Sequence, residues 1–234
     1  MSEKNVTKPV SSAVETFLEQ VRRTPAAVRP PGTRGRLIFA MDATASREPT
    51  WDRACEVQGQ MFLEADRRGG LEVQLAFYRG FHECKASRWV ASARGLVDLM
   101  TRVRCRAGQT QIRRILRHAA GEAAKQRVQA LVFIGDCMEE SLDEVAHLAG
   151  ELGLLGVRAF MFHEGVDPEA ERAFKEVARL TGGAYCRFDR GSARELRELL
   201  GAVAAFAAGG SGALADLRRH GSPGVRLLAA QIRD

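Results

Sequence analysis

Several features that mark particular classes of protein are scarce in this sequence. The five cysteines are widely scattered and form no C-x-x-C pair, which argues against a zinc ribbon or a thioredoxin-like redox motif. An odd number of scattered thiols is typical of a reducing compartment, so we expect a cytoplasmic protein. Aromatic residues make up only 6% of the chain, which leaves few rings to stack on nucleic-acid bases.

Long apolar runs are also scarce. Residues 199–215 carry no charge over 17 positions, but alanine and glycine dominate them, and a membrane span needs roughly 20 strongly apolar residues. Residues 1–5 are polar and lead into no apolar stretch, unlike a secretory signal. We therefore expect no membrane association.

The remaining composition is that of a folded domain. The chain has 234 residues, 45% hydrophobic and 27% charged, which argues against a disordered or collagen-like protein. Its net charge of +6 lies mainly at the ends, with 6 − 3 = +3 in residues 1–34 and 4 − 2 = +2 in residues 211–234. We predict an N-terminal arm (1–34) with a short amphipathic helix and a proline-rich linker, one domain (35–208), and a C-terminal tail (209–234).

Short apolar runs alternate with amphipathic segments across the predicted domain. The predicted strands are 37–41, 71–78, 85–90, 130–134, 157–162 and 184–188. The predicted helices are 51–68, 92–103, 110–126, 141–154, 168–181 and 193–208. This alternation predicts an α/β fold, a doubly wound three-layer sandwich around a mostly parallel sheet. The run 85–90 is expected to be one antiparallel edge strand.

Oxygen-bearing side chains follow the predicted strands where ligands of such sheets gather. Asp42, Thr44 and Ser46 leave the first strand, Asp136 follows the fourth, and Thr110 begins the helix before it. Two carboxylates and three hydroxyls suit Mg²⁺, or alternatively Mn²⁺, better than zinc or copper.

This arrangement resembles the metal-ion-dependent adhesion site of von Willebrand factor type A domains. The family pattern is D-x-S-x-S, then a threonine, then an aspartate; here Thr44 stands at the first serine position. The resemblance covers about residues 35–208 and implies the fold of that family. It also implies that Ser46, Thr44 and Thr110 ligate a cation, and that Asp42 and Asp136 balance its charge largely through waters.

The resemblance further implies a function. One coordination position would remain for an Asp or Glu carboxylate of a partner protein, so the chain is expected to be a non-catalytic, metal-dependent protein-interaction module. Intracellular bacterial relatives often act as adaptors for AAA+ ATPases of the MoxR type. Such an ATPase is therefore an expected partner.

A basic segment beside Thr110 leaves a second interpretation open. Six arginines and no acidic residue lie between Arg102 and Arg117. Arg104, Arg106 and Arg113 are candidates to contact acidic groups of a protein partner, but the segment could equally hold a nucleic-acid backbone, as in a ribonucleoprotein factor. Because the chain has 30 arginines and 5 lysines, arginine enrichment here carries less meaning than it otherwise would.

Two further interpretations apply to the same residues. Asp42, Ser46 and Thr110 could serve only as helix caps and loop hydrogen-bonding groups. An aspartyl-phosphate enzyme would need a carboxylate at Thr44, and no lysine follows a later predicted strand. Cys137 has no histidine at a pairing distance in the sequence and is expected to pack rather than react. We therefore predict no enzymatic activity.

Overall fold

The computed structural model describes residues 34–47, 70–188, 197 and 200–208. The strands are β1 (Gly35–Asp42), β2 (Leu71–Arg79), β3 (Glu83–Val90), β4 (Ala130–Gly135), β5 (Arg158–Glu164) and β6 (Ala184–Phe188). The helices are α1 (Ala93–Met100), α2 (Ile112–Lys125), α3 (Leu142–Leu154), α4 (Pro168–Thr181) and α5 (200–208). The predicted arm, tail and helix 51–68 lie outside the described residues.

The six strands form one sheet in the order β3-β2-β1-β4-β5-β6. All neighbouring pairs are parallel except β2 and β3, which are antiparallel at the edge. The predicted α/β fold with one antiparallel edge strand is therefore confirmed. Strand β5 runs two residues past its predicted end at Phe162, because it still pairs with β6 at Glu164.

Helices cover both faces of the sheet. Leu37 and Phe39 of β1 belong to a core with α1 and α5, whereas Ile38 and Ala40 pack with α2, α3 and α4. All eight residues of β1 are buried, as expected of a parallel strand that is covered on both faces. Among the described helices, none has the length and apolar character needed to cross a bilayer.

The amino end of β1 carries a buried cation. Arg36 is 6% exposed, and its guanidinium lies 3.7 Å from the ring centroid of Trp89. It also contacts the carboxylates of Glu72 at 3.6 Å and Glu122 at 3.8 Å. This cation is satisfied by a ring and two acids, and it lies at the end of the strand opposite to Asp42.

The packing of α4 against the sheet gives a test of the core. Phe174 is fully buried and meets the rings of Phe133 and His163 edge-on, with centroid distances of 5.3 and 5.4 Å. We expect Phe174→Ala to lower the free energy of unfolding by about 3–5 kcal/mol in urea titrations, because it leaves a cavity. Phe81→Ala, at a position 63% exposed, should stay within about 0.5 kcal/mol of wild type. Equal losses in the two variants would contradict this account of the core.

Candidate metal centre

The candidate site lies where the strand order reverses beside β1. The chain runs outward from β1 to β2 and β3, then returns to place β4 on the other side of β1. Met41 pairs with Ile134 across these parallel strands, so the ends of β1 and β4 lie side by side. Ligands of open α/β sheets bind at such a reversal, beyond the carboxyl ends of the strands.

Asp42 is the last residue of β1 and is completely buried. Its Oδ1 accepts a hydrogen bond from the Thr44 amide at 2.7 Å, and its Oδ2 accepts one from the Tyr78 hydroxyl at 3.0 Å. Burial raises the pKa of Asp42 to about 6; repulsion from Asp136 adds to the rise, and the hydrogen bonds from Thr44 and Tyr78 oppose it. The site therefore holds a carboxylate whose charge is incompletely compensated.

The hydroxyls of Thr44 and Ser46 lie next to each other. Their oxygens are 3.1 Å apart, with Thr44 buried and Ser46 exposed. A 3-10 turn over Ala45–Arg47 fixes this arrangement, and the Arg47 amide donates to the Thr44 carbonyl at 3.0 Å. One hydroxyl therefore faces the protein interior and the other reaches solvent.

Asp136 approaches Asp42 from β4. Ligating atoms of Asp42, Asp136 and Cys137 all lie within 4.8 Å of one another. The Oδ1 of Asp136 is buried and has no hydrogen-bond partner among the described residues. Burial and the nearby carboxylates raise the pKa of Cys137 to about 12, so without a metal its thiol keeps its proton at neutral pH.

Thr110 is tied to the loop that follows β4. Its amide donates to Oε2 of Glu139 at 2.9 Å, and its hydroxyl oxygen accepts from the Glu139 amide at 3.0 Å. Glu140 then accepts from the amides of Ile112 and Arg113. Because these bonds use the first free amides of α2, the helix begins at Ile112, two residues later than predicted.

The loop that carries Thr110 is also bonded to β1 and to the β2–β3 turn. The Arg106 amide donates to the Ala43 carbonyl at 3.0 Å, and the Gln109 amide donates to the Gly80 carbonyl at 3.2 Å. A Cβ at Gly108 would lie 2.1 Å from the Gly80 oxygen, so only glycine permits this approach. The predicted ligand segments around residues 42–46, 110 and 136 are therefore connected at one edge by backbone–backbone and backbone–side-chain hydrogen bonds.

Two charged residues at this edge were not predicted from the sequence. Arg47 is 2% exposed and forms an ion pair with Glu164, which is 5% exposed. Burial lowers the pKa of Arg47, while Asp136 and Asp42 oppose that fall. Arg47 could have been identified because it directly follows the motif, and Glu164 because it ends β5. The sequence predicted that β5 ends at Phe162, so Glu164 was not recognised as a strand-end residue.

The predicted partner-binding arginines divide into two groups. Arg104 and Arg106 are exposed on the loop before Thr110, and Arg106 lies 3.5 Å from Glu83. Arg113 instead contacts Glu140 at 3.0 Å and forms an ion pair with Glu144. Arg104 and Arg106 are thus presented to solvent, and Arg113 belongs to the acidic side of the site.

The donor set fits a hard divalent cation. Two carboxylates and hydroxyl groups converge on one edge, and a buried carboxylate oxygen lacks a partner among the described residues. Oxygen donors of this kind suit Mg²⁺ or Mn²⁺. Asp42, Thr44, Ser46, Thr110 and Asp136 are the residues that would hold it.

Solved structures share this architecture. The VWA domain of SpRpn10 matches with a TM-score of 0.55 and 13% identity, over 67% of this chain and 89% of that one. An aerotolerance-related membrane protein from Bacteroides fragilis matches with 0.53 and 16%, over 71% and 98%. Proximal thread matrix protein 1 from the mussel byssus, with a zinc-occupied MIDAS motif, matches with 0.56 and 15%, over 73% and 46%.

Protein-family models gave no match, and neither did curated protein sequences. At these identities the structural matches establish the fold alone, and function has to be inferred from the residues of the site. The chain has the fold of von Willebrand factor type A domains, as its resemblance to that family predicted.

The burial of Asp42 predicts an unusual pH dependence. Its pKa is about 6 in the folded protein and ordinarily 3.8, so between about pH 4 and 6 the folded state binds more protons than the unfolded state. Stability in EDTA should therefore fall as the pH rises through this window. The difference between wild type and Asp42→Asn in urea unfolding isolates this effect, which we expect to reach about 3 kcal/mol at most.

Added Mg²⁺ gives the control for this titration. A bound cation favours the ionised carboxylate, so saturating Mg²⁺ should flatten the dependence in wild type and leave Asp42→Asn unchanged. A wild-type stability that rises from pH 4 to 6 relative to the variant would contradict the buried, incompletely compensated carboxylate.

Proposed function

We propose that this protein is a non-catalytic, Mg²⁺-dependent protein-interaction module. The cation would be held by Asp42, Thr44, Ser46, Thr110 and Asp136, and it would bind an Asp or Glu carboxylate of a partner protein. Mn²⁺ is expected to substitute for Mg²⁺ because it accepts the same oxygen donors.

The unpartnered oxygen of Asp136 is the observation that supports this proposal most directly. A buried carboxylate oxygen without a partner costs free energy, and the half-buried Asp136 that carries it lies beside the fully buried Asp42. A divalent cation between them would remove that cost. Since much of the remaining donor set is neutral hydroxyls, the cation would keep enough positive charge to attract an outside carboxylate.

The surface around the site is suited to a protein partner. Ser46 is exposed, so the site opens to solvent on its side. Phe81, in the β2–β3 turn, is 63% exposed, and Val166, after β5, is 69% exposed; both lie at the same edge of the sheet as Ser46. Exposed large apolar side chains and arginines such as Arg104 at one edge are typical of interaction surfaces.

The structure favours a protein over a nucleic acid as the partner. Arg113 contacts Glu140 and Glu144, and Arg106 lies near Glu83, so acidic side chains of this chain neutralise part of the basic segment. A phosphate backbone would also meet the acidic loop around Glu139. Nucleic-acid binding is therefore the second candidate.

A non-catalytic role is consistent with the side chains at the site. Thr44 occupies the position where an aspartyl-phosphate enzyme needs a second carboxylate. Cys137 holds its proton, and the described cluster of ligating side chains includes no histidine. Neither Cys137 nor a histidine of the described cluster therefore supplies an activated nucleophile.

A cytoplasmic adaptor for an AAA+ ATPase of the MoxR type is the specific form of this function that we propose. It is supported by the resemblance to von Willebrand factor type A domains, whose intracellular bacterial members often act as such adaptors. The free thiols of Cys84 and Cys137 suit a reducing compartment.

Affinity capture with and without metal tests this function. We expect the tagged full chain to retain a partner in Mg²⁺, to lose it in EDTA, and to lose it after Asp42→Ala, because the variant removes a carboxylate that balances the cation. Asp98→Ala, at an exposed aspartate of α1, is the matched control and should retain the partner. Alanine scanning of the partner's acidic residues should then identify one that is essential.

The same material distinguishes the candidates. Capture that survives both EDTA and Asp42→Ala would reject the metal-dependent module. RNA or DNA binding that weakens steeply with salt, and that is lost when Arg104 and Arg106 are changed to Gln, would favour the nucleic-acid function instead.

A further inference from the structure

Two buried carboxylates, of Asp42 and Glu164, and the half-buried carboxylate of Asp136 lie near one buried cation at the carboxyl edge. Asp42, Asp136 and Glu164 supply three carboxylates, and Arg47 supplies one guanidinium. Fully ionised, the group carries 1 − 3 = −2, the charge that one divalent ion cancels. Arginine keeps its charge in proteins, so this cation cannot be removed by losing a proton.

The chain holds Arg47 in place from two sides. Its backbone belongs to the 3-10 turn directly after Ser46, and its side chain pairs with Glu164 at the end of β5. Strand β4, which leads into Asp136, lies between β1 and β5. The Arg47–Glu164 pair therefore spans the strand end where Asp136 leaves the sheet, and it cannot move away without unpairing a buried acid.

We propose that Arg47 is an internal counter-cation of the metal site, which stabilises the Asp42 and Asp136 carboxylates when no metal is bound and weakens the binding of the divalent ion. This inference rests on the metal site of the proposed function. It adds that the domain should fold without metal, and that Arg47 lowers metal affinity without being a ligand.

The physical basis is repulsion at short range inside a buried group. A guanidinium close enough to attract Asp42 and Asp136 also repels a cation held by them, and burial weakens the screening of both interactions. A merely structural Arg47–Glu164 pair would stabilise the fold without affecting metal affinity. The affinity for the divalent ion therefore distinguishes the two possibilities.

The double variant Arg47→Met with Glu164→Gln removes both buried charges together, a change that folded proteins often tolerate. We expect it to bind Mn²⁺ about tenfold more tightly than wild type, measured by electron paramagnetic resonance titration of the full chain. We also expect its melting temperature to rise more on adding Mg²⁺ than that of wild type. Arg47→Lys, which retains the charge, should stay near wild-type affinity.

Arg36→Met is the matched control. Arg36 is also a buried arginine paired with acids, but it lies at the opposite end of β1. Its loss should lower stability to a similar extent in EDTA and in Mg²⁺ and leave Mn²⁺ affinity unchanged. A double variant whose Mn²⁺ affinity is unchanged or weaker would overturn the proposal.

If the double variant folds neither in EDTA nor in Mg²⁺, the single variant Glu164→Gln tests the proposal instead. Glu164→Gln leaves Arg47 free to interact more strongly with Asp42 and Asp136, so Mn²⁺ should bind about tenfold more weakly. Unchanged affinity would reject the counter-cation.

The proposed function and this inference fail in different ways. Equal Mn²⁺ affinity in wild type and the double variant rejects the inference alone. If wild type binds no Mn²⁺ and the double variant does, the inference stands and the metal-dependent function of the natural chain fails.

Discussion

Strand β1 has neighbours on all sides, and this constrains the rest of the site. Two parallel strands flank it and helices cover both of its faces, so even its last residue, Asp42, is buried. A buried carboxylate needs donors or cations nearby. The Thr44 amide and the Tyr78 hydroxyl donate hydrogen bonds to Asp42, and Arg47 places a positive charge nearby. The incomplete compensation that remains is the feature on which the proposed metal site rests.

A second constraint is that separate loops must hold their positions relative to Asp42. Glu139 and Glu140 are consecutive, yet one exchanges hydrogen bonds with Thr110 and the other accepts from the first amides of α2. The loop before Thr110 is bonded in turn to Ala43 and Gly80. The candidate ligands are thus held by main-chain geometry as well as by their own side chains. Such preorganisation reduces the ordering that a ligand must impose when it binds.

The sequence predicts the parts of this protein that depend on local pattern. Apolar or alternating segments identified the strands apart from β3, which was predicted as a short edge strand, and the spacing of Asp42, Thr44 and Ser46, with Thr110 and Asp136 downstream, indicated one edge of the sheet. The structure confirms the fold and brings Asp42 and Asp136 together. Their role as metal ligands stays a prediction.

The sequence could not indicate interactions that depend on three-dimensional pairing. Arg47 and Glu164 lie far apart in the chain, and their burial follows from the strand order. Tyr78 reaches Asp42 because β2 is its parallel neighbour. The acid that caps α2, Glu140, comes from a different loop, so the local pattern after Gly108 predicted a helix that starts at Thr110.

The central position of β1 has a mechanical consequence. A partner held at the end of this strand would pull roughly along the strand axis. Strand β1 is paired along most of its length to β2 and β4, so such a load would shear many hydrogen bonds at once instead of peeling them one at a time. Edge strand β3 has only one neighbour and could be peeled. The partner site of the proposed function would therefore lie on a strand that resists tension better than the edge strand β3 does.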